Sequence, residues 1–127
     1  MQPTPTDIYI DAILSGNTAV LLPILSKEII ALSPTGSDEI SDPLMIISGL
    51  GLVSGIVSDL RLVRTYASDE KWHAAVFEGL IDGQLIQFSD HLHLNENNLI
   101  DRIEIFMRPA SVADLFYHKM SAKLAGE

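Results

Sequence analysis

The chain has 127 residues, 47% of them hydrophobic, with 8 basic against 17 acidic residues, a net charge of −9 and no cysteine. This describes one domain, residues 1–127, with room for an apolar core. The acidic balance and the lack of a basic stripe exclude a nucleic-acid binder and disfavour a membrane surface, and the absence of cysteine excludes disulfides and thiolate chemistry. The leading residues MQPTPTDIYID have neither the positive region nor the apolar run of a signal peptide, so a cytoplasmic protein is expected.

Thr6 or Asp7 can cap a first helix that runs to about Ser15 and stops at Gly16-Asn17. Tyr9 lies on it, next to the apolar positions Ile10, Ile13 and Leu14, and its spacing reads as a boundary aromatic with its hydroxyl in water. Thr18–Leu25 is a second short helix interrupted by Pro23. Lys27–Ser33 reads as a strand, and the Pro and Gly of Ser33–Ser37 as a loop. Ser41 can cap a helix with Pro43 early in it. The run Leu44–Val57 is almost wholly apolar or small and too short to span a bilayer, so it is expected as one fully buried helix. Asp59–Ala67 alternates as a strand, and Pro109 can open a last helix, Ala110–Leu124.

The informative stretch is Trp72–Arg108. Asp82-Gly83 between two strand-like runs is the strongest short hairpin pattern known, and a two-residue turn there pairs Phe77 with Phe88 and Ala75 with Asp90. Beyond it, Ile86, Phe88, Leu92 and Leu94 alternate with Gln87, Ser89, His91 and His93. A four-residue loop Asn95–Asn98 then sets Leu94 opposite Leu99, Leu92 opposite Asp101, Asp90 opposite Ile103 and Phe88 opposite Ile105. Asp90 thus falls on the apolar face of a central strand, between Phe88 and Leu92. A carboxylate so placed is either held at the edge of a cavity or has its pKa raised until it is protonated. The rival reading is a structural Asp bonded to a helix N-terminus or a buried water. His91 and His93 form an H-x-H pair on the opposite face, a spacing that can hold a metal with Glu104 or Glu78, but no further motif supports one and no metal or cofactor is expected.

Three segments, DIYIDAILSGN, EIIALSPTG and FEGLIDGQLIQFSDHLHLNENNLIDRIEIFMRPAS, resemble the NTF2-like superfamily, the group of ketosteroid isomerase and SnoaL-type cyclases. The resemblance implies an α+β cone: a curved antiparallel sheet covered by N-terminal helices, with a C-terminal helix. It implies that Tyr9 and Asp90 stand where the isomerases carry the Tyr and the protonated Asp of an oxyanion hole. Where those enzymes have the Asp-Pro of the general base, this chain has Ser33-Pro34, and serine cannot shuttle a proton between carbons as a carboxylate does. His73 or Asp101 could supply another base, though neither matches the family pattern. The expected ligand is a small, mostly apolar molecule, contacted by His73, Ala75, Phe77, Phe88, Ile103, Ile105 and Met107. The resemblance also implies a homodimer through the outer sheet face, with Trp72, His91, His93, Phe106 and Arg108 near the interface. Three functions remain open: an isomerase or cyclase working through an enolate, a binding protein without catalysis, and an interaction module with a vestigial cavity.

Overall fold

A computed structural model of the chain describes residues 2–34, 36 and 38–126. Helix α1, Pro5–Ser15, begins two residues earlier than a cap at Thr6 would place it, and three earlier than a cap at Asp7. Thr4 is the cap: its hydroxyl accepts from the Asp7 N–H at 3.1 Å, and the Asp7 carboxylate accepts from the Thr4 N–H at 3.2 Å. Pro5 costs nothing at the first helical position, where its missing N–H would have had no partner. Gly16, at φ 80°, closes the helix in the left-handed conformation. Thr18–Ile24 is a tighter 3₁₀ segment, consistent with Pro23 inside it.

Strand β1, Leu25–Leu32, leads into a loop of which Thr35 and Ser37 lie outside the described residues. A two-residue strand β2, Glu39–Ile40, follows. The single buried helix expected over Leu44–Val57 is instead two, α2 (Pro43–Leu50) and α3 (Val53–Ile56), parted at Gly51-Leu52. Its cap is Asp42 rather than Ser41, through Oδ1 accepting from the Leu44 N–H at 3.0 Å. Nor is it fully buried: Ile46 and Leu50 pack inward, but Leu44 and Met45 are 60% and 61% exposed. A run apolar on every side carries no periodicity, so the sequence cannot say which of its faces meets the core.

Strands β3 (Ser58–Ala67), β4 (Trp72–Ile81), β5 (Gln84–Leu94) and β6 (Ile100–Arg108) form an antiparallel meander, and α4 (Ala110–Leu124) ends the fold. The sheet order is β2-β1-β6-β5-β4-β3. The sheet is curved and unclosed but mixed, not wholly antiparallel, because β1 pairs with β6 in parallel, Ala31 opposite Ile103. The long excursion through α2, α3 and the meander returns the chain alongside β1 in the same direction, as a parallel pairing requires.

The first hairpin has the expected register, with Asp82 and Gly83 both left-handed (φ 50° and 78°) and Ala75 opposite Asp90. The second differs. Asn95 and Leu99 close a three-residue loop, with Asn98 at φ 62° and its N–H donating to the Asn95 carbonyl. That moves the register by one residue. A bulge moves it by one more, since Leu94 faces Ile100 while His93 faces Arg102, leaving Asp101 as the extra residue. Asp90 therefore lies opposite Ile105, and Phe88 opposite Met107, instead of Ile103 and Ile105. Two single shifts restore the strand's parity from Arg102 onward, so Ile103, Ile105 and Met107 stay on the face their alternation assigned. Before the bulge, the buried Ile100 takes the place opposite Leu94 expected for Leu99, and Asp101 leaves the apolar face.

Candidate functional site

One helix and one strand bring the central pair together. The buried stripe of α1, Tyr9 with Ile10 and Ile13, packs over the sheet's apolar face and holds Tyr9 at 0% exposure. β5 presents Asp90 to the same side at 1% exposure. Tyr9 Oη donates to Asp90 Oδ2 at 2.5 Å. Asp90 Oδ1 is also buried, and it has no hydrogen-bond partner among the described residues. The Tyr9 hydroxyl therefore has a buried acceptor in place of the water expected from its spacing.

Burial pushes the Asp90 carboxyl from 3.8 up to about 7, and the hydrogen bond from Tyr9 holds it back from rising further. Burial likewise raises the Tyr9 hydroxyl well above its usual value, and the neighbouring carboxylate adds to the rise. Tyr9 thus keeps its proton and donates it to Oδ2. When Asp90 is neutral, its own proton sits on Oδ1, the oxygen without a partner. Replacing Tyr9 with Phe should cost about 1 kcal/mol at pH 5, where it removes a bond to a neutral acid. At pH 8 the cost should be about twice that, because an ionised Asp90 loses its one donor. Urea unfolding at the two pH values checks this, and an NMR titration of Asp90 in the variant should show a pKa higher than in the parent.

Asp90 forms part of the wall of a cavity of about 680 Å³. Its inner wall comes from the sheet residues Ala31, Phe88 and Ile103 and from Ile46, Leu50 and Phe116, all buried. Its outer part is bordered by the exposed residues Asp42, Leu44, Met45, Tyr117, Ser121 and Leu124, at the start of α2 and the end of α4. Asp90 is the one fully buried polar side chain among the wall residues, and its surroundings are apolar.

Five of the sequence-predicted residues, Phe88, Asp90, Ile103, Ile105 and Met107, line this cavity, and so do Ser33 and Pro34. Tyr9 touches Asp90 but does not line the cavity; Ala75 and Phe77 are fully buried in the core and off the wall. His73 lies elsewhere: its Nε2 is 3.1 Å from the Glu70 carbonyl, and it lines a smaller hollow with Tyr66, Trp72 and His91. Asp101 is engaged with His93 Nδ1 at 2.6 Å. Neither alternative base thus lines the cavity that Asp90 lines. Sequence reasoning did not pick out the α2 and α4 side chains of the wall. The exposed apolar start of α2 and the apolar positions Phe116 and Met120 were the available traces.

On the other face of the sheet, Ser89 Oγ and His91 Nε2 are 3.0 Å apart, and the rings of Trp72 and His93 are 4.7 Å apart. Among the described residues there is no group of three side chains able to hold a metal ion, and no helix is long and apolar enough to cross a membrane.

No family model matches the chain, and no curated protein matches it in sequence. Solved structures do. An uncharacterised protein with a cystatin-like fold from Silicibacter pomeroyi is 21% identical, with a TM-score of 0.89 over 95% of this chain and 85% of that one. A steroid delta-isomerase from Pseudomonas aeruginosa is 18% identical, with a TM-score of 0.89 over 96% and 90%. An NTF2-like protein of unknown function from Cytophaga hutchinsonii is 14% identical, with a TM-score of 0.64 over 88% and 96%. At such identities the likeness establishes the fold, which is NTF2-like, and fold alone does not specify an activity.

Proposed function

We propose that the cavity binds a small, mostly apolar molecule whose carbonyl or hydroxyl oxygen accepts a hydrogen bond from neutral Asp90. One observation carries this reading: a buried carboxyl in an apolar wall has one oxygen held by Tyr9 and the other without a partner. An unpaired buried polar group is costly, and a ligand acceptor would relieve that cost. Tyr9 acts as a positioning residue, because it meets Asp90 and does not reach the wall. If the protein is an enzyme, the same donor would stabilise an enolate oxygen in an isomerase- or cyclase-type reaction, and the fold shared with a steroid delta-isomerase supports that direction. The second reading, binding without catalysis, is favoured by Ser33, which lines the cavity where the isomerase pattern calls for a carboxylate base. The outer sheet face, with Phe106 56% exposed beside His91, supports a homodimer through that face.

The test is binding of prodan, an apolar naphthalene ketone whose emission shifts to the blue in an apolar site. Affinity should be constant below neutrality and fall toward about tenfold per pH unit above about pH 7, as Asp90 loses the proton it donates. Asp90→Asn keeps a donor that does not ionise, and its binding should be flat across the same range. A parent protein that binds with no pH dependence between pH 5 and 9, or does not bind, overturns the donor role.

A further inference from the structure

The cavity wall carries two carboxyl groups and, among the described residues, no Lys, Arg or His. Asp90 is the buried one, 1% exposed, and Asp42 is an exposed one at the start of α2. All 8 basic residues of the chain lie off this wall. Lys119 and Lys123 are on α4, yet neither lines the cavity, and Lys119 Nζ is 3.3 Å from Asp82. Asp42 uses Oδ1 to cap α2. Its Oδ2 takes no hydrogen bond from any described residue and remains an acceptor at the rim. Around it stand the apolar Leu44 and Met45, 60% and 61% exposed, which reduce the water available to a group bound beside them.

A ligand filling this space therefore meets a donor at its buried end and an anionic acceptor at its exposed end, with an apolar wall between. We propose that the cavity selects by charge for an uncharged or cationic two-ended ligand: a carbonyl at Asp90 and a hydroxyl or ammonium group at Asp42, with carboxylate-bearing ligands rejected. This rests on the reading of Asp90 given above and extends it to the ligand's other end. A carboxylate at the rim would sit beside Asp42 with no cation on the wall, whereas a hydroxyl or ammonium can donate to Oδ2. Asp42 is thus a specificity-determining residue.

The experiment uses three aromatic ketones that share one naphthalene core and carry a hydroxymethyl, an aminomethyl or a carboxylate group at the far end. Their affinities for the whole protein are measured by calorimetry at pH 6. The ammonium and hydroxyl compounds should bind about tenfold or more tighter than the carboxylate, as expected for one charge contact at a partly screened rim. Asp42→Asn retains the helix cap, since Asn caps as well as Asp. It should narrow the gap between the ammonium and carboxylate compounds, and Asp42→Lys should reverse it, with circular dichroism confirming that both variants are folded. Equal binding of all three compounds, or an order unchanged in Asp42→Lys, overturns the proposal while the pH dependence at Asp90 stands. If no ketone binds, the reading of Asp90 falls and this proposal with it.

Discussion

Asp90→Asn should make the protein more stable than its parent at pH 8 and less stable at pH 4. The sign follows from the carboxyl's rise on folding from 3.8 to about 7. Below pH 4 the group is protonated in the folded and unfolded chains alike, so its ionisation has no effect on stability. Between about pH 4 and 7 the unfolded chain gives up the proton and the folded chain keeps it, so stability falls as pH rises. Above about pH 7 both forms are ionised and the loss is complete. A shift of about 3 units at 1.36 kcal/mol each makes that loss on the order of 4 kcal/mol. Asn cannot ionise. It still accepts from Tyr9, but its amide leaves two unpartnered N–H groups where the neutral carboxyl leaves one O–H, a further cost of about 1–3 kcal/mol. The variant should therefore lose at pH 4 and gain about 2 kcal/mol at pH 8. Other carboxylates whose pKa is lowered, such as the exposed Asp69 and the half-buried Glu78, tilt both proteins the same way and cancel in the difference. Urea unfolding of both proteins at pH 4, 6 and 8 measures it. A difference that stays constant across the three values would mean that Asp90 is ionised in the folded state throughout.

That Asp90 lies on the apolar face of a central strand, opposite Ala75, could be read from the alternation of β4 and β5. Asp82-Gly83 set the first register, and the apolar neighbours of Asp90 pointed either to the edge of a cavity or to a raised pKa. Even where the second register was off by two residues, Asp90 remained on the correct face, because a loop one residue shorter and a bulge at Asp101 preserved parity. Three features were not legible. Loop closure at Asn95–Leu99 depends on Asn98 taking a left-handed conformation, which Asn permits without requiring. The split of the apolar run at Gly51-Leu52 leaves no periodic trace. The cavity itself is a property of how far α2 and α4 stand from the sheet, and no spacing along the chain encodes that distance. Pairing Tyr9 with Asp90, 81 positions apart, needed the tertiary structure or a family pattern.

The same limit explains why one list of apolar residues on one face divides into two kinds, and it sets the second large effect. Phe77 and Met107 both alternate inward, and each lies opposite Phe88, one on either side. Phe77 is fully buried, stacked on Phe88 with ring centroids 5.1 Å apart, and off the cavity wall. Met107 is half-buried and lines the cavity. Phe77→Ala should cost about 3–5 kcal/mol, the loss of a buried ring together with the void it leaves in close-packed surroundings. Met107→Ala removes contacts from a side chain that already borders open space, so no sealed void forms and the cost should stay below about 1.5 kcal/mol. Its effect should fall on ligand binding instead, since the cavity it enlarges is the one that would hold prodan. Measured side by side at pH 6, the two variants should separate: Phe77→Ala shifts the urea midpoint, and Met107→Ala shifts the prodan affinity with the midpoint nearly in place. A Met107→Ala variant as destabilised as Phe77→Ala would show that the space beside Asp90 is closed in solution, and that Met107 belongs to the core rather than to a binding wall.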